Sequence, residues 1–181
     1  MRLFHVSENP DIRIFEPRQC DLRDDIGFPA VRAVDEEHLS DYLTPRDCPR
    51  VGWHKNINTS SDDIDRFFSA PSVSHGLAVE PGWFGVMHDA VLWIYEFEPS
   101  GFEKSDAGGG LYITGEPAVP FSKVCVTDIF DELFRRGVEV RITEDLWPLA
   151  ESLKYSTLDS AFCRMENANP KKSDPRVEYF L

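Results

Sequence analysis

The sequence predicts an α+β fold: a bent, mostly antiparallel or mixed sheet carrying about three or four short helices. Three observations lead there. Strand-like runs outnumber helical ones by about two to one. The two kinds do not alternate in the regular βαβ order of a parallel sheet. With 181 residues, 41% of them hydrophobic, the chain suits one packed core. The expected layout is a single domain over residues 1–168 and a C-terminal tail over 169–181.

Arg2–Ser7 (RLFHVS) reads as a short buried strand, and Asn9-Pro10-Asp11 supplies turn chemistry after it. Ile12–Phe15 is a short extended piece, and residues Pro17 to Phe28 form a charged loop. Pro29–Val34 is the second strand. Asp35 is a natural N-cap for a helix over Glu36–Leu43, with Leu39, Tyr42 and Leu43 on one face. Pro45 stops that helix, and TPRDCPR leads into a strand at Val51–His54.

Asp62–Ser69 has Ile64, Phe67 and Phe68 at helical spacing. Gly76–Glu80 is a strand or a turn, and Pro81–Asp89 is irregular or a short helix. Ala90–Phe97 (AVLWIYEF) is the most strand-like run and is placed centrally. The glycine run ending at Gly110 reads as a flexible hairpin or lid before a strand at Leu111–Thr114. Val119–Val126 is extended.

Asp128 caps a helix over Ile129–Arg136, and Gly137 fits the position just past its end. Val138–Ile142 is a strand. Asp145–Leu153 is a helix with Pro148 in its first turn. Ser156–Met165 reads either way, and Val177–Leu181 is a candidate edge strand.

Charge and composition narrow the function classes. The net charge is −13, which repels phosphate backbones and disfavours broad nucleic-acid binding while leaving room for one basic pocket. Cys20, Cys48, Cys125 and Cys163 are scattered, without a CxxC pair or a Cys/His cluster at zinc spacing, so reduced thiols and no metal are expected. The N-terminus lacks the apolar core of a signal peptide, and no run approaches bilayer-spanning length. A soluble, cytoplasmic protein without a membrane partner is expected. Oligomeric state is not encoded legibly.

Several residues have the chemistry of a ligand site. His5 and Ser7 share one face of the first strand by alternation, and both can hydrogen-bond a ligand hydroxyl. Tyr42 can stack on a base or a nicotinamide ring. Arg46 and Arg50 in the TPRDCPR loop suit bidentate capture of phosphate, with Arg18 and Arg32 as further positive groups. Glu116, in the turn TGEPAVP, can stabilise an oxocarbenium ion or polarise a hydroxyl. The paired acids Asp24-Asp25 and Asp62-Asp63 read as solvated, and His54 and His88 as structural. There is no GxGxxG, Walker or GxSxG pattern.

The blocks LFHVSENPDIRIFEPR, AVRAVDEEHLSDYLTPRDCPRV, LWIYEFEPSGFE, YITGEPAVP, GVEVRITEDLWPL and RMENA together resemble an uncharacterised family of small microbial proteins, over about residues 3–168. A weaker resemblance is to ADP-ribosyltransferase-like domains. It rests on a first strand with His then a small hydroxyl residue, a second strand leading to a Tyr, and a late strand followed by Glu-Pro. That resemblance implies NAD as substrate, with His5 and Tyr42 holding ribose and nicotinamide and Glu116 steering transfer. The second strand ends in Val34-Asp35 where those domains have Thr or Ser, and Glu116 lacks the ExE or QxE partner.

Three functions follow as expectations. The first is a nucleotide-binding domain with catalytic His5, Tyr42 and Glu116 and with Ser7, Arg18, Arg46 and Arg50 on the nucleotide, breaking an N-glycosidic bond by transfer or hydrolysis. The second is a non-catalytic ligand-sensing or protein-interaction domain. The third is an enzyme acting on a small sugar or nucleotide without NAD.

Overall fold

Short runs rich in apolar and aromatic residues build most of the strands, and side-chain caps set the clearest helix starts. A computed structural model describes residues 1–19, 27–105 and 109–171. The proposed loop lies largely, and the proposed edge strand wholly, outside the described residues. So do Cys20 and Gly108.

In chain order the elements are β1 (Leu3–Ser7), β2 (Val31–Asp35), β3 (Arg50–His54), α1 (Ser61–Phe67), β4 (His75–Val79), α2 (Phe84–Asp89) and β5 (Leu92–Phe97). Then come β6 (Glu103–Lys104), β7 (Leu111–Thr114), β8 (Ser122–Val126), α3 (Ile129–Arg135), β9 (Val138–Ile142), α4 (Trp147–Leu153) and β10 (Asp159–Cys163). The class is α+β. Contacts divide the chain into two compact units, residues 1–46 with 85–137 and residues 47–84 with 138–181.

The first unit holds a six-stranded sheet in the order β6-β7-β2-β1-β5-β8, with every pair antiparallel. β5, expected at the centre, is an interior strand between β1 and β8. On one face Leu3, Val31, Ala33, Tyr95 and Phe97 form a buried cluster, and Phe15 is laid across it. The Phe15 ring meets Tyr95 and Phe97 edge-on at 5.2 and 5.1 Å, the geometry aromatic quadrupoles favour. Backbone bonds between Phe15 and Ala118 pin this crossing segment. Tyr95 helps by donating its hydroxyl to the Asn9 carbonyl at 2.7 Å.

The second unit holds a four-stranded sheet in the order β10-β3-β4-β9, parallel only between β4 and β9. Trp53, Val51, Ala78, Phe67 and Phe68 pack there with Leu146, Ala150 and Leu153 of the α4 region. Ser60 caps α1 by accepting the Asp63 N–H at 3.2 Å, and Asp63 in turn accepts from Thr157 N–H and hydroxyl. This ties the helix start to the approach of β10.

One expected element is different. Instead of a helix over residues 36–43 there is a 3-10 turn, Leu39–Tyr42. Asp35 Oδ1 accepts both the His38 backbone N–H at 3.0 Å and its ring N–H at 2.7 Å. The first bond is the one an N-cap makes, but the segment before Pro45 is too short to carry it beyond one tight turn.

Of the hairpin and lid readings of the glycine run, β6 and β7 fit the hairpin, pairing antiparallel on either side of it. Gly110 has φ +63°, and a Cβ there would overlap the His38 ring. Its carbonyl accepts the Asp35 N–H at 3.0 Å.

Candidate functional site

The ladder between β1 and β2 has two residue pairs, Leu3 with Asp35 and Phe4 with Val34. His5 comes next. Its Nδ1 lies 2.9 Å from the Arg32 carbonyl oxygen. A carbonyl only accepts, so Nδ1 carries the hydrogen and donates, and in the neutral ring Nε2 is left as an acceptor. The ring therefore closes the gap where the strands part. Phe15 packs against it at 4.8 Å between centroids.

Burial pushes the His5 pKa down from its ordinary value, the bond to the Arg32 carbonyl opposes that shift, and the charges of Arg46, Arg18 and Arg32 lower it further. The neutral form is the one the fold selects. Arg46, Arg18 and Arg32 are thus the charges that act most on this imidazole, with the Glu8 carboxylate beside Arg46. Arg32 Nη1 donates to the Arg18 carbonyl at 3.4 Å, while its buried Nε has no partner among the described residues.

Other predicted residues of the first unit lie on β1 or on segments that touch it or the residue after it. The 3-10 turn ending at half-buried Tyr42 packs against β1. The Arg46 N–H donates to Glu8 Oε1 at 3.0 Å, just past Ser7. The Ser7 hydroxyl accepts the Asn9 N–H at 3.2 Å, a local turn bond that leaves its own hydrogen to donate.

Glu116 is placed differently. It is exposed, its backbone N–H donates to the Thr114 hydroxyl at 3.2 Å, and its carboxylate makes no hydrogen bond or ion pair among the described residues. It follows β7, which pairs with β2, so β7 runs two strand spacings, about 10 Å, from β1.

Arg50, expected in a loop beside Arg46, instead begins β3 in the second unit. It is 7% exposed, and its Nη1 donates to the Cys48 carbonyl at 3.0 Å. Burial raises the Cys48 thiol to about 12, with Arg50 working against the shift and Glu80 adding to it, which favours the protonated thiol. A cleft of about 460 Å³ in this unit, among Pro81, Gly82, Glu144, Asn169 and Pro170, contains none of the predicted site residues. There both Glu80 oxygens accept the Asn169 N–H.

Two histidine arrangements stand out in the structure. In one, Asp35, expected as an N-cap, accepts both the backbone and the ring N–H of His38. The other is His54 with His75, which sit directly opposite each other on β3 and β4. Only strand register brings these two together, and no local motif announces it.

Among the described residues no helix is long and apolar enough to cross a membrane. No curated protein and no solved structure matches the chain. Residues 4–168 match the model of DUF6886, a family of unknown function, and the chain belongs to that family.

Proposed function

We propose that the first unit binds a nucleotide through the end of β1, with His5 taking a ribose hydroxyl. The observation that carries this reading is the state of His5. A neutral imidazole, fixed through Nδ1, offers Nε2 as acceptor to a ligand hydroxyl, and guanidiniums around it favour an anion. Hydroxyls beside negative charge describe a phosphorylated ribose. Ser7 supplies a donor beside that acceptor, Tyr42 a ring for stacking, and Arg18 and Arg46 charge for phosphate. Arg32 contributes mainly field, because alternation sends its side chain to the opposite face from Ala33.

Binding is the better supported part of the reading, and transfer chemistry is its extension. In the extension the ligand is NAD or a relative, and its N-glycosidic carbon lies toward Glu116. The Glu116 carboxylate stabilises the oxocarbenium charge as the base leaves, and an acceptor hydroxyl or water completes the bond.

Thermal shift with NAD, ADP-ribose and ribose 5-phosphate tests the binding. The expected result is stabilisation by at least one of them that His5→Ala removes and Glu116→Gln keeps. Glu116→Gln should abolish any release of nicotinamide. No stabilisation by any of the three at millimolar concentration sinks the proposal.

A further inference from the structure

His54 and His75 are the sharpest concentration of ligating chemistry that the reading above leaves unused. Both lie in the second unit, on the two interior strands of its sheet. The register sets them as direct partners across β3 and β4, which puts both rings on one face. Their ring centroids are 3.7 Å apart, tilted by 40°. Ring nitrogens of the two come within 4.8 Å of each other. His54 is 3% and His75 7% exposed. Trp53 and Ala78, which pack into the unit's core cluster, alternate to the opposite face.

We propose that His54 and His75 form a binding site for a divalent transition-metal ion of the zinc type. Two imidazolium ions this close repel, whereas two neutral imidazoles share one cation readily. Imidazole nitrogens bind zinc at about 2.0–2.1 Å. Nitrogens already within 4.8 Å reach a common ion by modest side-chain rotation. The ligands stand on ladder-bonded interior strands, so the backbone needs no ordering when the ion binds. Borderline-soft ions such as Zn²⁺ and Co²⁺ fit imidazole, while Mg²⁺ and Ca²⁺ prefer oxygen and should be refused. The pair supplies two ligands and leaves further positions of the ion to other groups.

The test uses the full chain, stripped with a chelator and titrated calorimetrically with Zn²⁺, Co²⁺ and Mg²⁺. One tight equivalent of Zn²⁺ is expected, with no response to Mg²⁺. Outer-shell partners of metal sites are worth 10–100-fold, so His54→Asn and His75→Asn, which remove ligands themselves, should each weaken binding by about 100-fold or more. His88→Ala, at an exposed histidine of the other unit, should leave it unchanged. A wild-type chain without such a site, or one unaffected by both asparagine variants, overturns the proposal. If either variant fails to fold by circular dichroism, X-ray absorption of the zinc-loaded wild type decides. Two imidazoles in the zinc shell uphold the site, and fewer than two overturn it.

Discussion

His5 ties the residue chemistry to a measurable consequence. Its folded-state pKa lies below the ordinary histidine value of 6.5, first through burial and then through Arg46, Arg18 and Arg32. Below pH 6.5 the unfolded chain therefore binds a proton that the folded chain refuses. Stability from this group is complete above 6.5 and is lost as pH falls from there through the folded value. The carboxylates Glu96, Asp63 and Glu139 are shifted downward, so their losses come at lower pH. Denaturant midpoints at about pH 7.5 and about pH 5.5 should accordingly differ less in His5→Gln than in the wild type. An unchanged difference would mean that His5 is not held neutral. The alternation of β1 made His5 and Ser7 legible in the sequence. The bond from His5 to the Arg32 carbonyl was not, because it exists only where β1 and β2 part.

At the scale of elements, the strands with strong local signals were readable and the tertiary ones were not. Ile129–Arg135 carried its own cap and its own terminating Gly137, whose φ is +71°. The Asp35 region carried a cap signal too, and Asp35 does accept the His38 N–H, yet only a 3-10 turn follows. β10 was ambiguous because its burial comes from pairing with β3 across a long stretch of sequence.

Gly76 shows how closely such partners fit. A Cβ at this position would overlap the Trp53 ring, which also donates to the Phe67 carbonyl at 3.1 Å and lies under Arg141. Gly76→Ala should destabilise by about 1–3 kcal/mol through overpacking. Gly82→Ala, where a Cβ meets nothing within 4 Å, should stay within about 0.5 kcal/mol of wild type. Chemical denaturation measures both, and equal stability of the two variants would contradict the packing described.

At the scale of the molecule, each unit is assembled from two separated stretches of chain. The chain passes between the units after residues 46, 84 and 137, the first of these inside the turn-rich TPRDCPR segment. A fragment of residues 1–84 retains β1 and β2 of the first sheet and β3 and β4 of the second. It lacks β5, the partner along the whole of β1, and it lacks β9 and β10. Isolated strand pairs are marginal in water, so this fragment should show no cooperative thermal transition by circular dichroism. A sharp transition would mean that the retained strands suffice for a fold.

The α+β class was legible because strand and helix signals were local and irregular in order. The site was legible only by residue type: His5 and Ser7 share β1, Tyr42 lies on a turn packed against that strand, Arg50 falls in the other unit and Glu116 follows β7. The central claim is that a fixed, neutral His5 receives a ligand hydroxyl. Nitrogen-15 NMR of the histidine rings tests it most directly. His5 should be protonated at Nδ1 and bare at Nε2 at neutral pH, with the Nε2 resonance moving as ADP-ribose or NAD is added. A His5 protonated at Nε2, or an Nε2 signal that neither ligand moves, would contradict it.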